Sequence, residues 1–178
     1  MAASVGAMGI TPDSKDWTWV LQRRCEDCGF QAATVPVHQV GAQLRSQVPL
    51  WTAALMAAGA NQRTSPDRWS RLEYGCHVRD VCELYQVRLD LMLDDEDPCY
   101  PNWDQDETAL ADRYSTQDPI TVAKQLDHAA NGLADSFDAL SDEQWRRPGR
   151  RSDGAVFTVD TFSRYFLHDV VHHGWDIC

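Results

Sequence analysis

"FLHDVVHHGWD", Phe166 to Asp176, sets three histidines within six residues near the end of a 178-residue chain. Around them Phe162, Phe166, Leu167, Val170, Val171 and Trp175 occupy several sides of a helix. A helix apolar nearly all round is buried by its neighbours, so this stretch predicts a central helix inside a helical bundle. His168 and His172 are four residues apart, one turn above another, with about 5–6 Å between Cβ atoms. Two imidazoles so placed can converge on one metal ion. His173 points about 100° away and does not join that pair. Asp169 and Asp176 stand three before and four after His172, where carboxylates can fix its tautomer. The alternative is two imidazoles satisfied by carboxylates and water without metal. Either way they need partners, because an unpaired buried polar group costs about 1–3 kcal/mol.

Working outward, three more amphipathic stripes appear. Val37, Val40, Leu44, Val48, Trp51 and Leu55 predict a first helix from Val35 to about Ala58, with Pro36 in its first turn and Pro49 kinking or splitting it. Leu72, Cys76, Val81, Leu84, Val87 and Leu91 predict a second over Trp69 to about Leu93. Asp118-Pro119 opens a third, with Val122, Leu126, Ala129, Leu133, Phe137 and Leu140 on one side. The fourth starts near Thr158. The connector Asp94 to Gln117 is acidic and long, a length that favours a functional loop. "WRRPGRR", Trp145 to Arg151, reads as an exposed turn in a second connector that holds a short turn and a brief extended piece. The expected fold is all-α, a four-helix bundle over residues 35–178, with long connecting loops and a non-helical N-terminal arm, residues 1–34.

Composition narrows the partners. A net charge of -11 repels phosphate backbones, so no nucleic acid is expected. No run of about 18 apolar residues exists, so no membrane span is expected. The stretch "MAASVGAMGITPDSKDW" lacks the charge and apolar pattern of a secretory signal, which leaves a cytoplasmic protein with mostly free thiols as the expectation. Cys76 and Cys82 read as small buried hydrophobes. Cys25 and Cys28, in "RRCEDCGF", are half of a Cys₄ zinc site with no second pair. They are open to three readings: a redox dithiol, packing of the arm, or a metal half-site completed elsewhere.

Candidates for a third ligand are His38, His77 and His128. His128 stands among charged residues and reads as solvent-facing, and His38 sits in the first turn of helix one. His77, in "RLEYGCHVRDV" with Asp80 three residues on, lies on a core-facing segment. With His168 and His172 it would supply three nitrogens and leave a tetrahedral position open.

"WSRLEYGCHVRDV", "NWDQD" and "RSDGAVFTVDTFSRYFLHDVVHHGWDI" together resemble the DinB-like superfamily, also called YfiT-like, from about Val35 to the C-terminus. The resemblance implies a four-helix bundle with one divalent metal, zinc or nickel, held by one histidine of helix two and two of helix four. Carried over, these are His77, His168 and His172. It further implies a thiol-dependent S-transferase or isomerase using mycothiol or bacillithiol, with a small-molecule substrate and, as often in such bundles, a homodimer. The metal would turn a bound thiol into a thiolate for attack on a small electrophile. By position, Trp103, Asp104 and Asp106 of "NWDQD" line the mouth, and Tyr165 is assigned a hydrogen bond to a developing oxyanion. Two rivals remain: a hydrolase that activates water at the metal, with Asp104 or Asp106 as base, and a non-catalytic, metal-stabilised binding protein.

Overall fold

The computed structural model describes Ile10 and residues 16–178, so the reading of the extreme N-terminus as no secretory signal falls mostly outside the described residues. Five α-helices form, α1 (Val40–Met56), α2 (Arg71–Asp94), α3 (Gln105–Ala111), α4 (Pro119–Asp138) and α5 (Val159–Asp176). The four long ones are the expected bundle: α4 packs on α1 and α2, and α5 packs on the same two helices. Among the described residues no helix is long and apolar enough to cross a membrane.

Helix starts follow local chemistry. Ser70 and Glu73 make a capping box at α2, with the Ser70 backbone N–H donating to Glu73 Oε2 at 2.8 Å. Glu73 also accepts from Arg63 Nε at 2.9 Å. Asp118 caps α4 ahead of Pro119, and Thr158 with Thr161 caps α5. Pro49 does not split α1, which runs unbroken through it. The residue is exposed, so water can satisfy the carbonyl one turn back that its ring leaves unpaired. Gly41 lies where α1 comes close to α4: a Cβ there would lie 2.8 Å from the Ala134 carbonyl oxygen and closer still to the Asp138 carboxylate.

The connectors are more ordered than the sequence suggested. A small sheet joins β1 (Cys99–Tyr100), β2 (Pro148–Arg151) and β3 (Val156–Thr158), with β1 parallel and β3 antiparallel to the central β2. The segment read as an exposed turn therefore contains the middle strand, preceded by the buried Trp145. Arg147 ties it to the end of α2 by donating to the Asp95 carbonyl at 2.7 Å. The acidic connector likewise contains α3. The described part of the chain before α1 holds 3₁₀ turns, Thr18–Leu21, Ala32–Thr34 and Val37–Gln39. Its Cys25, Phe30, Ala32 and Val35 join the bundle core.

Candidate functional site

Four of the residues in "HDVVHH" form two interleaved pairs on α5, His168 with His172 and Asp169 with His173, offset by one residue. One residue of offset is about 100° of rotation, so the pairs look out on different sides of the helix. The chain uses both sides. His77, Asp169 and His173 bring one ligand atom each to within 4.8 Å of one another, and Cys25, Cys28, His168 and His172 do the same. The triad His77, His168 and His172 is therefore not a single group here. His77 of α2 faces the Asp169–His173 side of α5, while the other side meets the arm. Asp169 and His173 are candidate ligands that sequence reasoning missed. Their i, i+4 spacing was visible, but Asp169 was assigned to orienting His172 and His173 was left without a role.

The first cluster has the chemistry of a metal site. His77 is fully buried, and its Nε2 lies 3.2 Å from Asp169 Oδ1. Burial lowers the His77 pKa, which keeps the imidazole neutral and able to ligate. Its Nδ1 is buried without a hydrogen-bond partner among the described residues. Burial would raise the Asp169 carboxyl, but His77 and His173 beside it prevail and hold it at about 2. His173 Nε2 lies 3.9 Å from the same carboxylate oxygen, and its Nδ1 is 2.9 Å from Asp176 Oδ2. Asp176 in turn accepts from Arg68 at 2.8 Å. A carboxylate behind Nδ1 fixes the tautomer and turns Nε2 toward Asp169 as the ligating nitrogen. Asp176 thus orients His173 and not His172. These residues fit a divalent metal: two imidazoles and an ionised carboxylate, with a fourth position left open.

Aromatic rings frame this cluster. Trp103 stacks on His77 with centroids 5.4 Å apart and planes at 15°, and Trp69 lies 5.4 Å from the same ring. The Trp103 loop is fixed from both sides: Arg88 donates to the Pro101 carbonyl and Ser152 Oγ accepts from the Asn102 backbone N–H, each at 2.8 Å. Asp169 and His173 open onto a cleft of about 1350 Å³, also bordered by Trp103, Asp106, Arg151 and Tyr165.

The remaining expected residues are placed as follows. Asp104 borders the cleft, but its Oδ1 accepts from the backbone N–H groups of Asp106 and Glu107 at 3.0 and 2.9 Å, so the carboxylate serves as the N-cap of α3 and not as a free base. Asp106 is in the first turn of that helix. Tyr165 Oη is 3.4 Å from Arg151 Nη1. Burial raises the Tyr165 pKa against the opposing effect of Arg151, so the phenol keeps its proton. Asp80 is engaged by Arg79 at 2.7 Å and by the Tyr114 hydroxyl. His38 and His128 are exposed, and His38 lies 3.6 Å from Asp142.

The second cluster is more enclosed. Cys25, His168 and His172 are buried and Cys28 is half-buried. Cys25 Sγ is 3.6 Å from His172 Nδ1.

The comparisons with known proteins agree with this architecture. The family model of the DinB superfamily matches residues 42–177. In structure, the chain is similar to YfiT from Bacillus subtilis, described as a probable metal-dependent hydrolase with an unusual four-helix bundle topology. The TM-score is 0.68 at 15% identity, over 95% of this chain and 91% of that one. At that identity the likeness speaks for the fold. No curated protein sequence matches the chain.

Proposed function

The chain belongs to the DinB superfamily, and on that premise we propose that it is a divalent-metal-dependent enzyme whose metal is held by His77, Asp169 and His173. The observation that carries the reading is this open cluster of two neutral-capable imidazoles and one ionised carboxylate at the edge of a deep cleft. Within that class, the reading is an S-transferase that joins a low-molecular-weight thiol of the mycothiol type to a small electrophile. The size of the cleft supports two substrates: about 1350 Å³ exceeds the ~300–1,000 Å³ usual for one drug-sized ligand.

A bound divalent cation supplies positive charge that favours the thiolate over the thiol. The chain's residues do the rest. Trp103 and Trp69 cover His77 and keep water from its ring. Asp106 takes the thiol proton. The sulfur then bonds to the electrophilic carbon, and the leaving group departs with its bonding pair. Where the electrophile carries a carbonyl, Tyr165 donates its hydroxyl proton in a hydrogen bond to the developing oxyanion. Arg151, paired with Asp153 at 2.9 Å, lies beside it as a fixed positive charge.

A second reading, hydrolysis, is favoured by the description of YfiT. One assay separates the two. Zinc-loaded protein is given monobromobimane with and without a mycothiol-type thiol, beside a p-nitrophenyl ester without thiol. Thiol-dependent conjugation that His77→Ala abolishes supports the transferase. Ester hydrolysis without thiol, equally lost in His77→Ala, supports the hydrolase. Neither activity, in protein that binds metal, contradicts the enzymatic reading.

A further inference from the structure

The neighbouring side of α5, about 100° round from the open cluster, carries a second constellation that the proposed reaction does not use. Residues Cys25 to Cys28 form a tight turn closed by the Gly29 backbone N–H on the Cys25 carbonyl at 3.0 Å. The Cys25 backbone N–H donates to the Phe30 carbonyl at 2.8 Å. Gly29 has φ +76°, a conformation that costs glycine little and side-chain-bearing residues more. The turn presents both sulfurs to His168 and His172, with all four ligand atoms within 4.8 Å of one another. A tetrahedral zinc with ~2.3 Å bonds to sulfur and ~2.0 Å bonds to nitrogen needs ligand–ligand edges of roughly 3.3–3.8 Å. The 3.6 Å between Cys25 Sγ and His172 Nδ1 already lies in that range.

A second observation points to a ligand. His168 is 4% exposed, and its Nε2 is buried with no hydrogen-bond partner among the described residues. Such an orphan is costly unless something binds there. Aromatic rings crowd the site at the edge of the cleft: the Trp17 ring lies 5.5 Å from His168 and 5.0 Å from His172, and Phe30 lies 5.6 Å from His168. The residues matched to the superfamily begin at 42, so the two cysteines lie outside them and the two histidines inside.

We propose that Cys25, Cys28, His168 and His172 bind a zinc ion as a closed, structural Cys₂His₂ site, separate from the open His77–Asp169–His173 cluster. Two thiolates and two neutral imidazoles balance the double positive charge, which suits burial, and four protein ligands leave no position for substrate. The ion fastens the arm to α5 across the bundle. Because Asp169 and His173 are offset from this pair by one residue, fastening also fixes the rotation of α5 that aims them at His77. This inference does not depend on the enzymatic reading.

The test uses full-length His77→Ala protein, in which the open cluster is disabled, reconstituted with cobalt(II) and separately with zinc. The expected result is one cobalt per chain with a thiolate-to-cobalt charge-transfer band, and zinc X-ray absorption fitting two sulfur and two nitrogen neighbours. Cys28→Ser should lose about half of the band or more, since one of two thiolates is gone, and weaken cobalt binding by about 100-fold or more. If Cys25→Ser fails to fold, Cys28→Ser and the absorption spectrum of His77→Ala still decide. A folded His77→Ala protein with no thiolate band, zinc with only nitrogen and oxygen neighbours, or a Cys25–Cys28 disulfide that resists metal uptake would overturn the proposal.

Discussion

Replacing Asp169 with Asn changes one charge and almost no volume, and tests whether the carboxylate is a metal ligand. In the metal-free protein Asp169 is held at about 2 against an ordinary 3.8, despite burial that pushes the other way. A displacement of that size corresponds to roughly 2 kcal/mol of favourable interaction with His77 and His173, net of burial. That side chain keeps 31% exposure, so screening by water reduces its value for stability to about 1 kcal/mol. The effect on metal binding is larger. Even with the full screening of water, a unit negative charge ~2.1 Å from a divalent cation is worth about 4 kcal/mol, or three orders of magnitude in affinity. The amide oxygen of Asn retains part of this, which leaves an expected loss of about 100- to 1000-fold. The assay is competition with a chromophoric chelator near pH 7.5, on protein whose thermal midpoint confirms a folded bundle. An affinity within about threefold of wild type would refute the assignment of Asp169 as a ligand.

Other consequences follow from the same geometry. Burial lowers the His168 pKa to about 4 from 6.5, so the unfolded chain binds the extra proton first, and stability of zinc-free protein is full above 6.5 and declines as pH falls toward 4. The loss is about 3 kcal/mol, and urea titrations of His168→Gln in chelator should show a flatter profile across that window; parallel profiles would contradict it. Tyr165→Phe should lower kcat/KM by about 100-fold toward a carbonyl electrophile while leaving metal content unchanged; an unaltered rate removes the oxyanion role. Gly41→Ala should destabilise the fold by about 1–3 kcal/mol, because α1 must move off the Ala134 carbonyl. Chemical denaturation measures this, and a neutral result would mean that the α1–α4 contact yields freely.

The long helices were legible because their signals are local and repeated. Asp118-Pro119 and Thr158 stand where α4 and α5 begin, and the stripe through Val122, Leu126, Leu133 and Phe137 is buried. The small sheet was not legible, since strands of two to four residues are too short to show a period of two. Helix α3 hid inside an acidic run, although Asp104 as N-cap with Asp106 and Glu107 in the first turn is a recognisable start. For the site, the spacing on α5 was legible but its duplication was not. Sequence alone cannot say which side of a buried helix meets α2 and which meets the arm, and that packing decides which pair His77 joins. The cysteines showed the same limit, for their partners lie 140 residues or more away, as in the 147-residue separation of Cys25 and His172.

The most direct test of the central claim is the metal content of protein purified without chelators or a polyhistidine tag, wild type beside His77→Ala and His173→Ala. Native mass spectrometry of the three gives metal per chain. Each variant is expected to hold about one equivalent less than wild type, because both residues serve the same open site. Wild type and His77→Ala carrying equal metal, in proteins equally folded, would contradict the claim.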